Sequence, residues 1–291
     1  MAVWPIAMEV LMSSRRTIMT WAKAGMRRGQ RVVAIVALVC GAGPSAYAVD
    51  GVIGLNQAML QNNVVFDISL PGSYRLTSNI LASYISPNSP GNASALGVSA
   101  INGDVTLDLN GFTIAGPVFC STSGITGTSL SCTNTGPGVA INVLGSVRSV
   151  VIKNGTIHGW GGNAIVIADG VNAVIENVTV IENGGVGIKA SNARINHVVA
   201  VKNLGNGVEA LGGMVSDVYS ALNKGHGIVL SDGMILGANA SANGGYGLSL
   251  GSVGYSNVAA NYNNGGAGQL QINGGVSGVG NVCNHTGATC P

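Results

Sequence analysis

Residues 183–190 read NGGVGIKA, 203–210 NLGNGVEA, 223–230 NKGHGIVL and 243–250 NGGYGLSL. Asn183, Asn203, Asn223, Asn243 and Asn263 recur every 20 residues, and Gly185, Gly205, Gly225, Gly245 and Gly265 keep step with them. Gly187, Gly207, Gly227 and Gly247 form a third column, each followed by an apolar residue: Ile188, Val208, Ile228 and Leu248. Two more apolar columns share the step. One holds Ile175, Ile195, Val215, Ile235 and Tyr255; the other holds Val178, Val198, Val218, Ala238 and Val258. A fixed period of this length marks a repeat architecture.

Each repeat contains short alternating segments broken by Gly and Asn, the pattern of strands and turns; a helical repeat needs longer stretches with a period of about 3.6 residues. A four-stranded propeller blade takes ~40 residues, twice what each repeat supplies. One such coil cannot bury its inner face, but stacked coils bury a continuous core with neighbouring strands ~4.8 Å apart. The expected fold is therefore all-β, a right-handed parallel β-helix solenoid of about eight coils over residues 95–275. The apolar columns face inward. The Asn and Gly columns take the turns, where left-handed backbone is cheap for these residues and stacked Asn side chains can hydrogen-bond along the axis. Upstream, residues 107–116 (LDLNGFTIAG) align with 150–159 (VVIKNGTIHG), 43 residues away, a separation that predicts two coils. Residues 117–137 between them read as a loop. Because open solenoid ends expose strand edges, residues 51–61 (GVIGLNQAMLQ) are expected to form a short capping helix, and a Cys283–Cys290 loop to close the C-terminus.

Residues 32–40, VVAIVALVC, lie behind Arg27, Arg28 and Arg31 and ahead of Ala46-Tyr47-Ala48. A basic start, a short apolar middle and a small-residue end make a secretory signal; a membrane span needs ~20 apolar residues. Cleavage is expected after Ala48, so 1–48 is signal peptide, already complete from Met26. Residues 49–94 are then an N-terminal cap and lead-in, and 95–291 the β-helix with its C-terminal cap. The leader takes six of the 13 Lys and Arg and one of the 11 acids, leaving seven against ten and a net charge of −3 instead of +2. No basic footprint for nucleic acid remains, and the product is expected to be secreted or periplasmic. Outside the leader four cysteines remain, which allow three pairings. The close pairs, Cys120 with Cys132 and Cys283 with Cys290, are the favoured disulfides in an oxidising compartment. No CxxC spacing or matching His cluster points to a metal, and no motif points to a cofactor.

GDVTLDLNGFTIAG, VIKNGTIHG and the repeated N-x-G-x-G-[IVL] resemble the right-handed parallel β-helix proteins of the pectin-lyase-like fold, in particular its broad bacterial branch, over residues 95–275. The resemblance implies the fold. That fold carries polysaccharide lyases, hydrolases and epimerases, phage tailspikes and proteins without known activity, so the chemistry has to come from the side chains. Gly225-His226-Gly227 is similar to the Gly-His-Gly of polygalacturonases, but the Asn-Thr-Asp, Asp-Asp and Arg-Ile-Lys motifs of those enzymes are absent, and both glycines belong to the repeat. The clustered carboxylates that calcium needs in pectate lyases and the Asp-Pro-His motif of the mannuronan epimerases are absent as well.

Lys189 and Glu209 follow the turn position occupied by Asn206, His226 and Tyr246. Lys189, Glu209, His226 and Tyr246 are thus expected to line one polar and aromatic edge able to contact a glycan. His197 and Asp217 fall one coil apart in the turn column of Asn177 and Asn257 and are expected as members of a polar turn ladder, the alternative being a His–Asp contact that tunes a general base. Glu182 with Lys202, and Lys189 with Glu209, also fall one coil apart and are expected as surface pairs, since opposed charges on adjacent strands add only ~0.2–1 kcal/mol. With no catalytic constellation in view, the expected function is an exported β-helix that binds or displays at a polysaccharide or cell-envelope surface. The alternatives are a polysaccharide-active lyase or epimerase with an unfamiliar site, and a structural adhesin-like module. A groove holding three or more converging ionisable side chains favours the enzyme.

Overall fold

A computed structural model describes residues 51–60, 66–81, 94–133, 135–261, 263 and 270–283. The expected signal peptide with Met26, and Cys290, lie outside the described residues. The chain is a parallel β-solenoid of about ten turns, with strands on three faces. The first face carries Phe66–Ile68, Leu96–Val98, Ile141–Val143, Ile165–Ile167, Ile188–Ala190 and Val208–Ala210, all parallel and in register. The second carries Gly72–Leu76, Asp104–Asp108, Ala193–Asn196 and Gly213–Ser216. The third carries Thr113–Ala115, Val199–Val201, Tyr219–Ala221, Asn239–Ser241 and Ala259–Asn261. Four longer strands turn a corner. Ser149–His158 and Asn172–Ile181 run from the second face to the third, and Ile228–Leu236 and Leu248–Ser256 from the first to the second.

The register follows the sequence columns. Ile188 pairs with Val208, Val208 with Ile228 and Ile228 with Leu248. Ile175, Ile195, Val215, Ile235 and Tyr255 pair in the same succession. Every member of these columns, and of the Val178 column, is buried in one continuous core. Burying each large aliphatic side chain contributes roughly 1.5–3 kcal/mol, which a lone coil could not collect.

Upstream the 20-residue step breaks down, and the structure corrects the alignment. Leu107 pairs with Ile152, so the two segments lie on neighbouring coils, one coil apart and not two. Thr113–Ala115 pairs with Thr156, Ile157 and His158 as the sequence predicts, but the pairing before the corner is shifted by two residues. The cause is a longer corner in which Asn110 and Gly111 both take positive φ, 52° and 79°. The added length of that coil is residues 117–137, within which residues 119–133 form a hairpin. Phe119–Thr122 and Leu130–Thr133 pair antiparallel, with Cys120 directly opposite Cys132 and disulfide-bonded to it. The hairpin lies along the solenoid. The Val118 N–H donates to Gly159 O at 2.8 Å and the Gly127 N–H to Ala242 O at 2.6 Å, and Leu204 packs against Val118, Cys120 and Leu130.

At the N-terminal end, the expected helix is a single 3-10 turn, Gln57–Leu60, preceded by a strand, Val52–Leu55, that stacks on Gly72–Leu76. Residues 66–81 wind through all three faces in the same way as later coils. Val282–Cys283 is the last described strand on the third face.

Candidate functional site

Two turns per coil decide where polar side chains point. Between the second and third faces the chain passes through one left-handed residue: Asn154, Asn177, His197, Asp217 and Asn257, at φ 50–58°, with Gly237 at 64°. His197 Nε2 and Asp217 Oδ2 are 4.0 Å apart, and both side chains are more than half exposed. This pair is a solvated surface contact.

Between the third and first faces the left-handed residues are Glu182, Lys202, Leu222 and Ala242, at φ 54–56°. The sequence assigns that role to the Asn column that follows them. Those asparagines are instead fully buried and form a hydrogen-bond ladder. Asn183 Nδ2 donates to Asn203 Oδ1 at 2.9 Å, Asn203 to Asn223 at 2.9 Å, Asn223 to Asn243 at 3.0 Å and Asn243 to Asn263 at 2.8 Å. Each accepting oxygen also takes the backbone N–H of the Asn before it. The Trp160 N–H enters the ladder at one end, and Gln271 Oε1 accepts from Asn263 at the other.

Three residues further along the same turn runs a second, outer row. The Val186 N–H donates to Asn163 Oδ1 at 2.7 Å, the His226 N–H to Asn206 Oδ1 at 2.8 Å, and the Tyr246 N–H to His226 Nδ1 at 2.9 Å. His226 thus does the work of an Asn at this position. Accepting at Nδ1 leaves the ring hydrogen of the neutral form on Nε2. The His226 and Tyr246 rings stack with centroids 5.3 Å apart and planes 3° from parallel, and partial burial holds the His226 pKa below its ordinary value.

The structure brings the four sequence-selected residues onto one edge, with Asn206 as the link. Lys189 Nζ lies 2.9 Å from Glu209 Oε1, and Glu209 Oε2 accepts from Asn206 Nδ2 at 3.0 Å. Asn206 then holds His226, and His226 holds Tyr246. A connected polar and aromatic row therefore crosses four coils. Beside it lies a groove of about 400 Å³ at the corner between the first and second faces, lined by Asp169, Lys189, Ser191, Glu209, Leu211 and the strand residues around Val166. Asp169 accepts a short hydrogen bond from the Ser191 hydroxyl.

Asp169 is missing from the sequence columns for a geometric reason. Val166 pairs with Lys189, a step of 23 residues, whereas Lys189 pairs with Glu209 after 20. The column arithmetic stops at the longer coil.

Other charged groups make links between coils. His158 Nε2 lies 3.3 Å from Glu182 Oε2, and Lys202 Nζ 3.5 Å from Glu182 Oε1. Arg148 clamps Asp104 through two nitrogens, and Ser149 Oγ donates to the same carboxylate at 2.6 Å. The Arg148 and Ser149 hydrogen bonds hold the Asp104 pKa down to about 2. Arg194 stands between Val174 and Met214 on the second face. Among the described residues no three His, Cys, Asp or Glu side chains gather where they could hold a metal ion, and no helix is long and apolar enough to cross a membrane.

No family model matches the chain, and no curated protein matches it. Among solved structures it is similar to the A-module of the mannuronan C-5 epimerase AlgE4 of Azotobacter vinelandii. The TM-score is 0.35 and the identity 16%, over 80% of this chain and 77% of that chain. At that score and identity the likeness bears on neither the site nor its chemistry.

Proposed function

We propose that the chain is a non-catalytic, exported solenoid that binds a glycan along the edge formed by Lys189, Glu209, His226 and Tyr246, at a polysaccharide or cell-envelope surface. The observation that carries the proposal is the connected row from Lys189 through Glu209, Asn206 and His226 to Tyr246, next to a groove. It presents a charged pair and two stacked rings at successive coils, and coils repeat every ~4.8 Å. An extended polymer lying along the axis meets one such group per coil. Export is supported by the Cys120–Cys132 disulfide, which belongs in an oxidising compartment. The test is glycan binding by the pair of substitutions His226→Ala and Tyr246→Ala. Stacking on aromatic rings predicts a loss of binding; unchanged binding discards this edge.

A specific observation favours a second reading, a polysaccharide-active enzyme: three ionisable residues, Asp169, Lys189 and Glu209, line one groove. Against it, both oxygens of Glu209 are already engaged, one by Lys189 and one by Asn206, whereas a general base needs a lone pair aimed at substrate. Ultraviolet absorbance of unsaturated ends detects a lyase on uronic-acid polymers, and compositional analysis of the recovered polymer detects an epimerase. Turnover abolished by Asp169→Asn would replace the binding reading with the enzyme.

A further inference from the structure

We infer that the glycan site continues from the aromatic edge into the groove between the first and second faces, and that the groove selects a glycan without carboxylates. This rests on the glycan-binding reading above and names its ligand class. The lining holds two carboxylates, Asp169 and Glu209, and one ammonium, Lys189. Lys189 is matched in place by Glu209 at 2.9 Å. Asp169 takes a hydroxyl hydrogen from Ser191, and among the described residues it makes no ion pair. One carboxylate therefore faces the groove with its charge unbalanced there.

The rest of the wall is apolar. Leu211, 56% exposed, and Val166 both line the groove and give it apolar surface suited to the C–H face of a sugar ring. A neutral glycan brings hydroxyl donors to Asp169, and an amine-bearing glycan brings an ammonium. A polyuronate brings one carboxylate per sugar to a wall that already carries net negative charge, and juxtaposed like charges suppress binding. The whole chain beyond residue 48 points the same way, with ten acids against seven Lys and Arg.

The experiment measures binding of the mature chain to three oligosaccharides of matched length: a neutral β-glucan, a chitosan and a galacturonan. Calorimetry at low salt is the readout. The chitosan and the β-glucan bind more tightly than the galacturonan, and added salt narrows the gap. Asp169→Asn keeps an acceptor for Ser191 and removes the charge; it lowers the preference for chitosan over β-glucan by about two- to fivefold, the range for an exposed ion pair. Tightest binding of the galacturonan, or an unchanged chitosan preference in Asp169→Asn, overturns the charge selection and leaves glycan binding standing. Binding of none of the three overturns the glycan site itself, and this inference with it.

Discussion

Two of the three turns in the regular coils use a left-handed residue, but they are built from different chemistry. The corner between the second and third faces uses Asn154, Asn177, His197, Asp217, Gly237 and Asn257, types enriched at positive φ on their own. The turn between the third and first faces puts Glu182, Lys202, Leu222 and Ala242 into the same conformation, and none of these has a preference for it. Immediately after each stands a buried ladder residue, Asn183, Asn203, Asn223 or Asn243, held by hydrogen bonds to the coils on both sides. Strained backbone persists where its surroundings over-determine it. The first corner is therefore specified locally, residue by residue. The second is specified by its neighbours, and that frees its left-handed position to carry Glu182 and Lys202, which link coils through His158 and each other.

The sharpest way to break this contrast is to remove one rung. In Asn223→Ala, the Asn203 backbone N–H and Nδ2 lose their acceptor, and Ala200 O loses a donor. Each buried group left unpaired costs ~1–3 kcal/mol, so Asn223→Ala is expected to lose roughly 3–5 kcal/mol in denaturant unfolding. Asn177→Ala, at the exposed corner, is expected to lose only about 1–2 kcal/mol, the left-handed penalty together with one exposed hydrogen bond to Asn154 Oδ1. Equal losses at the two sites would mean that the ladder does not hold its turn.

The hairpin presses on the same turn. A Cβ added at Gly127 would sit 1.9 Å from Asn223 O, so Gly127→Ala must lift the hairpin tip. Overpacking of this kind costs about 1–3 kcal/mol. The expected readout is faster proteolysis within residues 123–129, with the solenoid still folded because Cys120–Cys132 ties the hairpin base. Unchanged proteolysis would mean that the tip does not rest on the turn.

A smaller effect probes the strain directly. Ala242 has φ 56°, so Ala242→Gly is expected to stabilise the fold by about 1 kcal/mol. A loss of stability on this change would show that the turn is not strained and that the contrast between the corners is one of sequence only.

How much of this was legible in the sequence depends on which coil is read. From Asn183 onward the step is constant, so Ile188, Val208, Ile228 and Leu248 reveal their inward direction, and Lys189, Glu209, His226 and Tyr246 their common edge. Before it, a 23-residue coil hides Asp169 from the columns, and the long corner at Asn110 and Gly111 displaces the pairing of Leu107 by two residues. The left-handed role of Glu182, Lys202, Leu222 and Ala242 was not legible at all. No local preference signals it; it follows from the buried ladder next door, a contact between residues one coil apart.

The smallest expected effect concerns His226, where a titratable ring fills a position that Asn163 and Asn206 fill in other coils. Only its unprotonated Nδ1 can accept the Tyr246 N–H. The groups facing it are the Tyr246 ring and Asn206, with Glu209 behind Asn206 and Lys224 two residues back along the chain. Its pKa is lowered by burial in the folded state, against about 6.5 for a free imidazole. The unfolded chain therefore takes up the proton first. The stabilisation is fully present above about pH 6.5 and is lost as pH falls from there through the folded value. Asp104, at about 2, loses its contribution only in a more acidic range and does not confuse the comparison. His226→Asn keeps an acceptor that does not titrate, so its unfolding midpoint should fall less between pH 8 and pH 5 than that of the wild type. Parallel profiles would remove His226 from the outer row and leave Asn163 and Asn206 as its hydrogen-bonding members.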